Sequence, residues 1–208
     1  MQSLAGMRLR TGHVADDAAD PLTARAATEA ALIAQAVHDP QAFVQLYRQY
    51  LDPIYRYCYH RLGSKEAAED VTSQVFVKVL GALPTYRRDR PFRSWLFAIA
   101  HHAIVDAHRA QWPHQPLSAA EDVLDPSASP EDLAVSAEGD RTIQTLLADL
   151  TQDQARVVAL RLVGLTEVEI ARALGRRPGA IRALQFRALI RLRSRLEGGA
   201  ETKDRDDA

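Results

Sequence analysis

Apolar residues recur along this chain at intervals of three and four, in several separate runs that read as amphipathic helices. Phe43, Leu46, Tyr47, Tyr50, Ile54, Tyr55 and Cys58 form the first clear stripe. Asp39-Pro40 supplies its N-cap and first-turn pair, and Gly63 stops it after Leu62. Ser64 caps a second helix, with Glu66 and Glu69 in its first turns and Val71, Val75, Phe76, Val79 and Leu80 as its apolar face. Gly81 and Pro84 end it. A basic, aromatic turn follows from Tyr86 to Arg93, and Ser94 reads as the cap of a helix carrying Trp95, Leu96, Ile99, Ala100, Ala103, Ile104 and Ala107.

From Trp112 to Asp140 the helical period is lost. Pro113, Pro116, Pro126, Pro130 and Gly139 interrupt the stretch, which reads as an extended or poorly ordered linker. Helices resume at Arg141 with Ile143, Leu146, Leu147 and Leu150. Thr151 caps the next, which runs through Ala155, Val158, Ala159 and Leu162 to Gly164. Upstream, Thr23–Ala36 is a candidate helix after twenty residues that look disordered. The pattern predicts an all-α chain. Its parts are an N-terminal extension (1–35), a helical domain (36–111), an acidic flexible linker (112–140), a second helical domain (141–197) and a disordered tail (198–208).

The second domain holds the sharpest local pattern. Thr166 and Glu169 have the spacing of a capping box. Ile170 and Leu174 share one face, Ala171 is small where helices cross, and Gly175 suits a left-handed helix end. Pro178 opens a second helix, on which Ile181 and Leu184 face inward. These positions match a helix-turn-helix, with Arg182, Gln185 and Arg187 left for solvent or DNA. An ordinary helical hairpin would share the spacing but not the cluster of Arg176, Arg177 and Arg182.

Charge changes the picture more than composition does. The net charge is -1. Residues 41–111 hold 10 basic and 6 acidic residues, and residues 141–200 hold 11 and 5. The stretch 112–140 between them holds 7 acidic residues and no Lys or Arg. Two basic blocks separated by an acidic one suit a polyanionic partner, because the local field decides. A single cysteine, Cys58, rules out a disulfide framework, and His101, His102 and His108 lack further ligands for a metal site. No apolar run is long enough to span a bilayer, and the N-terminus does not read as a secretory signal. These features place the protein in the cytoplasm, without cofactor or metal.

Two blocks resemble a known family. AFVQLYRQYLDPIYRYCYHRLGSKEAAEDVTSQVFVKVLGALPTY, followed by FRSWLFAIAHHAIVDAHR, resembles region 2 of extracytoplasmic-function (group 4) sigma factors of the sigma-70 family. GLTEVEIARALGRRPGAIRALQFRALIRLR resembles their region 4. His102 stands where the family usually has Asn, and Pro178 is unusual at its site.

The resemblance implies a non-enzymatic subunit that binds bacterial core RNA polymerase, recognises the −35 and −10 elements of promoter DNA and assists melting. An anti-sigma factor is a further expected partner. Asp70, Gln74, Phe76 and Lys78 match the stretch that docks on the polymerase clamp, although Asp70 also suits a helix N-terminus. Tyr86, Arg87, Arg88, Arg90, Phe92, Arg93, Trp95, His101, His102, Asp106 and Arg109 match the −10 and melting segment. Aromatics and arginines together are what single-strand binding requires. Trp95 also fits the core of its own helix, and Asp106 fits a pair with His102 or Arg109. Arg176, Arg177, Arg182, Gln185 and Arg187 match the −35 contacts. A free-standing repressor would not explain the first block. For an enzyme, the adjacent acids Glu69 and Asp70 are not set across a cleft.

Overall fold

The computed structural model describes residues 21–111 and 136–206, with side chains for 27–110 and 142–197. The expectations for the first twenty residues and for 112–135 lie outside these. The regular structure described is helical throughout. Helices α1 (Pro21–Ala36), α2 (Pro40–Leu62), α3 (Lys65–Ala82) and α4 (Phe92–Gln111) form one bundle, with a 3-10 turn at Leu83–Thr85 after α3. Helices α5 (Ser136–Ala148), α6 (Gln152–Leu162), α7 (Glu167–Ala173) and α8 (Pro178–Asp206) form the other.

Local signals set most helix ends. Asp39 accepts from the Gln41 amide, and Ser64 from the Ala67 amide. Gly63 closes α2 at φ 75°, a conformation that costs other residues about 1–2 kcal/mol. Thr151 with Gln154, and Thr166 with Glu169, close two reciprocal capping boxes. Gly175 takes φ 63° between α7 and α8.

Four boundaries differ from the sequence reading. Helix α4 starts at Phe92, so Ser94 is buried within its first turn and is not its cap; the Trp95 amide donates to the Pro91 carbonyl at 3.2 Å. Burial of Phe92 against Tyr50, Tyr86 and Trp95 holds that turn in the helix. Helix α3 runs through Gly81 to Ala82, α5 starts at Ser136, and α8 continues past Gly198 and Gly199 to Asp206. Glycine lowers helix propensity without forbidding helix.

The two bundles pack on one another. One continuous core joins Tyr57, Phe97 and Ala100 of the first to Val157, Leu160, Leu165 and Ile170 of the second. Helix α4 lies on α7, and α2 lies on α5 and α6. Polar ties cross the seam. Arg61, 3% exposed, donates to Gln152 Oε1 at 2.8 Å. Gln144 donates to the Tyr59 carbonyl at 2.8 Å, and Arg93 to the Val163 carbonyl at 2.5 Å.

Arg156 shares the Gln152 oxygen, at 3.3 Å. Gln152→Ala therefore strands the buried Arg61 guanidinium, while Arg156 keeps its pair with Asp153 at 3.1 Å, and should cost about 1–3 kcal/mol. Arg61→Met removes the buried charge itself and should cost less, since an apolar replacement leaves nothing unpaired. Urea denaturation of both variants checks the order, and a smaller loss for Gln152→Ala contradicts it.

Candidate nucleic-acid and polymerase surfaces

Helix α3 turns Val71, Val75, Phe76 and Val79 inward. Asp70, Gln74 and Lys78 are exposed on its outer face. Phe76 is not available to a partner: it is buried, with its ring edge-on to Tyr47 at a centroid distance of 4.6 Å. The outer face instead carries Val77, 72% exposed, and Leu80. The sequence reading passed over Val77 and placed Leu80 on the inner face. Lys78 forms an ion pair at 3.1 Å with Asp106 of α4, so Asp106 turns to the neighbouring helix and not to His102 or Arg109.

The basic turn before α4 is held from within. The Tyr86 hydroxyl donates to the Arg90 carbonyl at 2.5 Å. Tyr86, Phe92 and Trp95 form an aromatic cluster with centroids 5.0–5.4 Å apart. Phe92 is fully enclosed by it and has no face left for a base, whereas Tyr86 and Trp95 keep partial exposure. Arg87, Arg88 and Arg90 project into solvent. The Tyr50 hydroxyl donates to Glu29 of α1, and burial with this bond raises its pKa far above the usual tyrosine range.

Along α4 the expected residues divide. His102, Asp106 and Arg109 are exposed, while His101 and Arg93 are partly covered at the seam between the bundles. Burial, then Arg156 across the seam, Arg61 of α2 in the same bundle and the adjacent His102, hold His101 down at about 4; Asp153 only partly opposes them. His108 is also lowered, by burial and by Arg61. The described residues contain no cluster able to hold a metal ion. Nor do they include a helix long and apolar enough to cross a membrane.

In the second bundle, α7 and α8 meet at the Gly175 turn. Ile181, Leu184 and Ala188 are buried beneath α8. Arg176, Arg177, Arg182 and Arg187 are exposed on the outer side, and Gln185 partly so. Arg176 pairs with Asp153 at 2.6 Å. Phe186, one residue from Gln185, is 64% exposed. It was missed in the sequence because it breaks the inward stripe, although that break was itself the signal.

This arrangement of buried and open faces is that of a helix-turn-helix packed against a second helical bundle. Family models of sigma-70 region 2 match residues 46–114, and those of sigma-70 region 4 match 140–192. The ECF RNA polymerase sigma factor ShbA of Streptomyces griseus is 38% identical over 177 residues, covering 79% of this chain and 89% of that protein. The chain belongs to the extracytoplasmic-function group of sigma-70 family sigma factors. ECF sigma factor BldN of Streptomyces coelicolor is 35% identical over 155 residues, covering 73% of this chain and 59% of its own length. The fold is also that of the sigma factor RpoE in its co-crystal with the anti-sigma factor NepR from Bartonella quintana, at TM-score 0.57 and 18% identity, covering 74% and 96% of the two chains.

For this sigma factor the seam carries a pH dependence. His101 is held neutral while packed; once separated it loses the seam's burial and Arg156, and takes up a proton more readily as its pKa rises toward the ordinary value near 6.5. Packing is therefore fully favoured above about pH 6.5 and weakens as pH falls toward 4, with a slope of up to about 1.4 kcal/mol per pH unit from this group. Small-angle scattering should show expansion between pH 7.5 and 5, and His101→Gln should flatten the response. An equal response in that variant assigns it elsewhere.

Proposed function

We propose that this sigma factor directs RNA polymerase by three surfaces. The outer face of α3, with Asp70, Gln74, Lys78, Val77 and Leu80, binds core enzyme. The turn at 86–90 and the exposed side of α4, with His102 and Arg109, engage and help melt the −10 element. The N-terminal half of α8 reads the −35 element. On this reading residues 36–111 act as region 2 and residues 141–197 as region 4.

The observation that carries the proposal is the open face of α8. Arg182, Gln185 and Phe186 share one side of the helix beyond a buried Ile181–Leu184 face, and Arg187 is exposed on the opposite flank. Arginine suits guanine, glutamine suits adenine and an aromatic edge suits a thymine methyl in the major groove. Arg176 and Arg177, beside the turn, suit phosphates and so fix register.

Distance adds a further requirement. Positions −35 and −10 are ~25 base pairs apart, about 85 Å at 3.4 Å per pair. A single packed body of the described size is about 40 Å across. The bundles must separate to reach both elements, and a chain of 24 residues, the number between α4 and α5, would reach roughly 80 Å at full extension. Separation also frees Arg93 and His101 for DNA. A protein that holds the bundles together would keep the factor inactive, which is how an anti-sigma partner would act on it.

Asp70→Ala with Gln74→Ala should weaken competition for core polymerase at least several-fold while leaving the circular dichroism unchanged; unaltered competition removes α3 as the docking helix. Arg182→Ala and Gln185→Ala should each lose about 1–3 kcal/mol of discrimination at particular −35 positions, whereas Arg176→Ala should weaken all sequences alike. A promoter-variant series without position-specific loss excludes the first two from readout.

A further inference from the structure

Glu167 stands in the first turn of α7, on the helix that precedes the reading helix. Its carboxylate meets Arg182 across the turn by two bonds, Arg182 Nε to Oε2 at 3.2 Å and Nη2 to Oε1 at 2.9 Å. The arginine side chain is 74% exposed, so burial does not hold it in place; the carboxylate, 27% exposed, is the more fixed partner. We propose that Glu167 is a positioning residue for promoter recognition, holding Arg182 in the orientation that reads guanine. This inference rests on Arg182 being a −35 reader.

The chemistry follows from the shape of the guanidinium. Its five N–H groups form a rigid planar fork. Glu167 takes the side edge, Nε with one hydrogen of Nη2. The end edge, Nη1 with the second hydrogen of Nη2, remains free. Two parallel donors on that edge match the O6 and N7 acceptors of guanine. Adenine offers one acceptor and one donor at the same place and is refused. An unheld arginine samples many rotamers and must be immobilised on binding, at a cost that corresponds to about threefold to tenfold in affinity. The held side chain has already lost that freedom. The negative charge near the groove also repels phosphates, so Glu167 favours discrimination at the expense of non-specific affinity.

The test uses the full chain assembled with core polymerase and promoter fragments carrying each of the four bases at every −35 position. Glu167→Ala should reduce discrimination about threefold to tenfold at the one position that Arg182→Ala also flattens. Binding to unrelated duplex should stay level or tighten. Glu167→Gln, which keeps one acceptor, should fall between the two. In an Arg182→Ala background, Glu167→Ala should add nothing. If Arg182→Ala flattens a position and Glu167→Ala leaves it sharp, the positioning role is overturned while the reading of Arg182 stands. If Glu167→Ala weakens all promoters equally and lowers the melting temperature, the residue only stabilises α7 and the proposal fails. If Arg182→Ala flattens no position, the underlying reading falls and this inference falls with it.

Discussion

A guanidinium removed from water must find its hydrogen-bond partners in whatever packs upon it. Arg61, at the end of α2, is nearly fully buried, and burial lowers its pKa only to about 10. It therefore stays charged at neutral pH, and its acceptor is Gln152, 91 positions further along the chain. That single requirement fixes the end of α2 against the start of α6. The Arg93 and Gln144 bonds then fall into place along the same seam, and α4 lies down on α7. A buried charge of this kind adds little stability over an apolar pair, but it is intolerant of being left alone. It suits a contact that must be specific when closed and still able to open.

The seam divides the proposed nucleic-acid surfaces into two groups. Arg93 and His101 are engaged by the other bundle, so in the proposed scheme they are withheld from DNA in the packed chain. The outer face of α8 is left open, with Arg182 bonded to Glu167. In the proposed scheme the packed factor can therefore meet a −35 element before it can grip a −10 element. Promoter melting would then be coupled to separation of the two bundles.

How much of this was legible in the sequence depends on distance along the chain. Features set by neighbours within four residues were readable: the Thr166–Glu169 capping box, the Gly63 and Gly175 turns, the inward face of α8 and, apart from the exposed Leu80, that of α3. Ser94 misled because cap chemistry is local, whereas the start of α4 is set by Phe92 packing on Tyr50, 42 positions earlier. Phe76 matches the family's polymerase-docking stretch and Phe92 fits the aromatic and arginine chemistry of single-strand binding; only the packed structure reveals that Tyr47 and the Tyr86–Trp95 cluster occupy their faces. Nothing in the spacing of Arg61 distinguishes it from a cation at a helix C-terminus. Its burial, like the packing of α4 on α7, depends on a surface supplied from beyond the linker.

The central claim is that the two bundles are one body in the free factor and two bodies on a promoter. Spin labels at Glu66→Cys on α3 and Ser194→Cys on α8, both at exposed positions, report the separation, and the native Cys58 is buried away from the reagent. Double electron–electron resonance at pH 7.5 should give one narrow distance for the free chain, and a distance longer by tens of ångströms in the promoter-bound holoenzyme. A broad distribution in the free chain, or the same short distance on the promoter, would contradict the account.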